Sequence, residues 1–268
     1  MGEARARGLF DDVRVACEDK GVTRLLFVNH AEAVESEESK EEAGENWKMV
    51  DSTRSLNDKG VEQAKEARRW FQEGLGTDQV MMCVNSGTRR AVETMQLMMQ
   101  EGEDKGKASF ETKVLKILHV VDVHQGAEEL LEACGNAPIK TYLEDEGNKA
   151  KFEEYAKVAV EDLMNGIVGM RPEVVGKGNT VAYFGHEVSL PSIVYSLCQG
   201  WGLSEFLMNQ LLEVELGPAE GLLIELPKRQ GSDKKPVNIR YLHTKFLAPP
   251  SLTNHPLMHA LRAGALVK

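Results

Sequence analysis

Four short apolar runs recur along the chain, each bounded by polar residues: TRLLFVNH (23–30), QVMMCVN (79–85), VLKILHVV (114–121) and TVAYFG (180–185). Continuous runs of this length, rich in strand formers, predict strands buried on both faces. Between them the apolar period lengthens to that of a helix. In NDKGVEQAKEARRWF (57–71), Val61, Ala64, Ala67, Trp70 and Phe71 share one face, Asn57 is placed to cap the start, and Gly74 and Gly76 mark the end. TRRAVETMQLMMQ (88–100) reads as a second helix, with Met95, Met98 and Met99 filling core. A helical region follows from 127 to about 164 with a break near 135–138, and SLPSIVYSLCQG (189–200) and SEFLMNQLL (204–212) are helical as well. LEVEL (212–216), GLLIEL (221–226) and VNIRYL (237–242) read as late strands, some at an antiparallel edge.

Alternating strand and helix units call for a mostly parallel sheet, because parallel neighbours need a crossover between them. The expected fold is a three-layer α/β/α sandwich with a mostly parallel central sheet, occupying residues 22–245 as one domain. An arm or short packing helix precedes it at 1–21, and a tail follows at 246–268 that either docks on a protein partner or a second copy or folds back. Residues 32–45 are dominated by Glu with almost nothing to bury, so they predict a solvated loop; their place directly after His30 makes them a candidate flap.

In open sheets of this kind, ligands sit outside the carboxyl ends of the strands. The first strand ends in Asn29 and His30, and the second leads through Ser86 and Gly87 to Arg89 and Arg90. The third runs into Asp122 and His124, and the fourth ends in Gly185, His186 and Glu187. Histidines, arginines and an acid on one rim suit phosphoryl handling. A neutral imidazole is a nucleophile, a guanidinium offers a planar fork to phosphate oxygens, and an acid protonates a leaving oxygen.

Composition narrows the partners. The 268 residues are 42% hydrophobic and 28% charged, as in ordinary folded domains, and the net charge of −10 disfavours nucleic acid and anionic lipid surfaces. An anionic ligand therefore needs a local basic site. No run of 18 apolar residues exists, and the start MGEARARGLFDDV has neither an apolar signal-peptide core nor a myristoylation pattern. Cys17, Cys83, Cys134 and Cys198 are widely spaced without a CxxC pair. An intracellular setting, cytoplasmic or an organelle matrix, is expected.

At the strand ends the sequence resembles the histidine phosphatase superfamily, the group of phosphoglycerate mutase-like enzymes and phosphomonoesterases. LLFVNHAEA is similar to the family's Arg-His-Gly/Ala strand end, DSTRSLNDKGVEQA to Leu-Thr-x-x-Gly-x-x-Gln-Ala, and VNSGTRRAVETM to Ser-Pro-x-x-Arg-Ala-x-x-Thr. VVDVHQG resembles the stretch that brings the acid, and VAYFGHEVSLPSIV the strand ending in the second histidine; the five follow the family's order. The resemblance implies a three-layer α/β fold of that type. It implies His30 as the phosphate-accepting nucleophile, Arg90 as the phosphate clamp, His186 as the second pocket histidine and Asp122 as the acid, with Glu128 and Glu129 as substitutes. Asn29, Ser86 and Glu187 would border the phosphate, and Arg89 is read as a surface neighbour. The implied reaction is phosphomonoester hydrolysis through a phosphohistidine, on a phosphorylated small molecule or phosphoprotein, with neither cofactor nor metal.

Two departures matter. Asn29 stands where the family has Arg, and the loss of one charge-assisted phosphate contact costs about 1.5–3 kcal/mol. Glu187 follows the second histidine and sets a negative charge beside an incoming phosphate of roughly −2. Two readings follow: a weak or specialised phosphatase, and a catalytically inactive pseudoenzyme that keeps the fold as a binding or assembly module. His255 and His259 lie four apart but lack a carboxylate to complete a metal set, and GKGNTVAYFG fails the dinucleotide pattern.

Overall fold

The computed structural model describes residues 2–36, 42, 44–99, 110–118, 125–134, 137–186, 189–226 and 237–242. Strands β1 (Arg24–Asn29), β2 (Val80–Asn85), β3 (Glu111–Val114), β4 (Thr180–Gly185), β5 (Gly221–Glu225) and β6 (Asn238–Leu242) form one sheet in the order β3-β2-β4-β1-β5-β6. The first four in that order are parallel, while β5 runs antiparallel to β1 and β6 antiparallel to β5. The helices are α1 (Gly2–Lys20), α2 (Trp47–Thr53), α3 (Asp58–Gly74), α4 (Arg89–Met99), α5 (Gln125–Cys134), α6 (Ile139–Glu144), α7 (Glu146–Val168), α8 (Ser189–Gly200) and α9 (Glu205–Leu212).

Strand side chains alternate between two cores, which is why the strand runs are apolar throughout. Leu25, Phe27, Val181, Tyr183, Leu222 and Ile224 face one layer, packed by α1 and α5 to α9. Leu26, Val28, Ala182, Phe184 and Leu223 face the other, packed by α3 and α4. Phe27 and Tyr183 are register partners across β1 and β4, and their rings stack at 5.0 Å. In α3 the expected face is inward, with Ala64, Ala67 and Phe71 buried, and Asn57 caps the helix by accepting from the Gly60 N–H. Met95, Met98 and Met99 of α4 are buried in the same layer.

Of the two expectations for the N-terminal segment, the packing helix is the one observed: in α1, Val13 and Cys17 are buried against the core and the Trp201 indole N–H donates to the Phe10 carbonyl at 2.9 Å. Two local expectations are corrected. The third strand of the sheet is Glu111–Val114, and within the expected 114–121 run Ile117 and Leu118 lie in a 3-10 turn, while residues 119–121 lie outside the described residues. Their carbonyls accept from the Tyr155 hydroxyl at 2.8 Å and the Ser189 hydroxyl at 2.9 Å, so Ile117 and Leu118 are buried by side-chain-anchored packing rather than by strand pairing. LEVEL (212–216) is the end of α9 and the turn after it: Val214 and Leu216 are buried, which imitates a strand's alternation, yet neither pairs in the sheet. Ala33 of the acidic segment is also buried, bridging Leu56, so the segment is tethered at its start; residues 37–41 and 43 lie outside the described residues.

Candidate active site

Parallel pairing of β1 with β4 places Asn29 opposite Gly185, so the residues that follow, His30 and His186, leave the sheet side by side. Their rings meet edge to face with centroids 4.8 Å apart. On the far side of β4, β2 delivers Ser86 and then α4, whose second residue, Arg90, is buried and reaches across to both histidines. Its Nε–H donates to His30 Nε2 at 3.1 Å, and its Nη2 lies 3.4 Å from His186 Nδ1.

These contacts define the His30 tautomer. Nδ1 lies 2.7 Å from the Ala31 carbonyl and must donate to it, while Nε2 accepts from Arg90, so the lone pair of Nε2 is engaged by that guanidinium. Burial, and next the Arg90 guanidinium, push this imidazole down from 6.5 to about 4, so it is neutral at pH 7. His186, with Nδ1 turned to Arg90, directs Nε2 at the hydroxyls of Ser86 (3.2 Å) and Thr88 (3.4 Å).

The motif around LNDKGVEQA holds the chain that follows His30. The Asn57 N–H donates to the Glu32 carbonyl at 3.1 Å, the Glu32 N–H donates to the Gln63 amide oxygen at 2.9 Å, and a Cβ on Gly60 would overlap the Glu32 carbonyl. Thr94 completes the support: its hydroxyl accepts from the Ala31 N–H at 2.9 Å and donates to the Arg90 carbonyl at 2.8 Å. One hydroxyl thus ties the chain after His30 to the helix that carries Arg90.

Asn29 is turned elsewhere. Fully buried, it directs its amide nitrogen at the carbonyls of Leu216 (3.0 Å) and Gly217 (3.2 Å), which locks the turn before β5 to the end of β1. Asp122, His124, Glu187, His255 and His259 lie outside the described residues. Glu128 and Glu129 are ion-paired on α5, with Lys48 and Lys151 respectively. Arg89 is exposed and paired with Glu93.

Sequence reasoning missed Asp51. The Arg90 Nη1 donates to its carbonyl at 2.5 Å and Nη2 to its carboxylate at 2.8 Å, while Arg54 donates from Nη1 to the other carboxylate oxygen at 2.9 Å. The one available signal was an acid and a base three apart, directly before the LNDKG segment. Among the described residues no group of three or more His, Cys, Asp or Glu is arranged to hold a metal ion, and no helix is long and apolar enough to cross a membrane.

Neither a family model nor a curated protein matches the chain. Among solved structures it is similar to the mycobacterial glucosyl-3-phosphoglycerate phosphatase, with 18% identity, a TM-score of 0.46 and coverage of 82% of this chain and 97% of that one. It is also similar to phosphoserine phosphatase from Entamoeba histolytica (12% identity, TM-score 0.41, 84% and 98% covered) and to a mycobacterial hydrolase (16%, 0.42, 82% and 97%). Likeness this remote leaves the chemistry to be argued from the side chains.

Proposed function

We propose that the chain is a histidine phosphatase that hydrolyses phosphomonoesters without a metal, with His30 as nucleophile. The observation that carries this reading is the His30 ring, held with Nδ1–H on a carbonyl and a neutral Nε2 against a buried guanidinium and a second imidazole. In the first step the Nε2 lone pair leaves the Arg90 Nε–H and forms a bond to phosphorus as the P–O bond to the alcohol breaks, and an acid supplies the proton that the leaving oxygen takes. Asp122 is the residue proposed for that proton. The positive charge that develops on the ring is supported by the Nδ1–H bond to the Ala31 carbonyl. Arg90 and His186 would donate to the equatorial oxygens, and water then breaks the P–N bond, releasing phosphate and restoring His30.

The second reading, an inactive module, is favoured by one observation: both outward-facing nitrogens of Arg90 are engaged by Asp51. Turnover of an aryl phosphate with chelator present separates the two. The phosphatase reading expects hydrolysis that His30→Ala abolishes; no hydrolysis across several phosphate esters would leave the binding module.

A further inference from the structure

Arg90 spends Nε on His30 and presents its Nη1 and Nη2 edge, the fork that grips an oxyanion, to Asp51. The other carboxylate oxygen of Asp51 is held by Arg54. Arg54 is itself fixed, its Nε donating at 2.8 Å to the carbonyl of Val34, four residues past His30. One carboxylate therefore lies between two guanidinium groups beside the nucleophile, with each oxygen taking a charge-assisted bond. A phosphoryl group presents three such oxygens and about twice the charge to the same donors.

The element that carries Asp51 is held lightly. Not one residue of α2 is buried, and Met49 is 63% exposed. Its described ties are polar: Asp51 to Arg90, Lys48 to Glu128 at 2.9 Å, and Arg54 to Val34. Withdrawing Asp51 exposes no core, and although it takes the partner from the buried Arg90 guanidinium, an incoming anion that replaces the carboxylate restores that partner. The Asp51 side chain is already 20% exposed, so an anion in solvent can approach it.

We propose that Arg54 and Arg90 form a two-guanidinium phosphoryl subsite for which Asp51 and the substrate compete, and that phosphate binds by displacing the Asp51 carboxylate. The proposal rests on the phosphatase reading. Arg54 supplies the second cation that Asn29 does not bring, and Asp51 is an internal inhibitor that selects for doubly charged phosphoryl groups over singly charged anions.

The test is calorimetric titration of the full chain with inorganic phosphate. Asp51→Asn keeps an oxygen but removes the competing charge, and it should bind phosphate about tenfold more tightly than wild type or better. In that background, Arg54→Gln should weaken binding by about fivefold or more, and Lys65→Gln, a remote exposed cation, should stay within about twofold. Asp51→Ser, followed by thermal unfolding, repeats the first comparison with a different side chain. Equal phosphate affinity in wild type and both Asp51 variants, or no effect of Arg54→Gln, overturns the proposal; if Arg90→Gln still weakens binding, the phosphatase reading stands. Absence of phosphate binding in every variant overturns that reading as well.

Discussion

The His30 ring should resist protonation as the pH falls. Its imidazole is moved from 6.5 to about 4, first by burial and then by Arg90, while the Ala31 carbonyl and the Asp51 charge act the other way. At pH 7 the ring would be about three units above its midpoint, with roughly 0.1% protonated, so in the proposed mechanism it would need no separate base. The sign for stability follows. Between pH 6.5 and 4 the unfolded chain takes up a proton that the folded ring refuses, so stability is intact above 6.5 and declines as pH falls toward 4. A shift of this size corresponds to about 3 kcal/mol, a ceiling because His30 is not fully shielded from solvent. The assay is a proton NMR titration of the His30 Hε1 resonance, assigned by its loss in His30→Ala, alongside denaturant unfolding from pH 7 to pH 4. Arg90→Gln should raise the midpoint only part of the way, since burial is the larger cause. A midpoint near 6.5 in wild type, or full restoration to 6.5 in Arg90→Gln, would refute the reasoning.

Two substitutions test the supports. Gly60→Ala drives a methyl group into the Glu32 carbonyl; it should cost about 1–3 kcal/mol in denaturant unfolding and lower aryl phosphate turnover by shifting the chain behind His30, and an unchanged rate would argue against that coupling. Asn29→Ala leaves the buried Leu216 carbonyl and the part-buried Gly217 carbonyl without their amide donor and should cost about 1–3 kcal/mol; a variant as stable as wild type with weakened phosphate binding would return Asn29 to a ligand role.

The layers and the rim of the site were legible because they depend on local pattern. Runs such as LLFVN and VAYFG are apolar at every position, which marks strands covered on both sides, and parallel neighbours carry their end residues to one edge. His30, His186 and Arg90 therefore come together from their places after strands and at a helix start. Asn29 was legible as a departure but not as a support, because the carbonyls it holds lie 187 and 188 residues further on. Asp51 was hidden for a similar reason: in sequence it is one acid in a polar stretch, and it becomes a site residue only where α2 meets α4. The edge strand β3 was displaced in the reading because its residues, Glu111 and Lys113 among them, are charged, while the apolar Ile117 and Leu118 that follow are buried in a turn.

The most direct measurement is acid-free rapid quench of the chain during aryl phosphate turnover, followed by peptide mass spectrometry at high pH, where phosphohistidine survives. The account predicts one phosphoryl group on His30, absent in His30→Ala and accumulating more in Asp51→Asn than in wild type. Sustained turnover with His30 unmodified, or undiminished in His30→Ala, would contradict it.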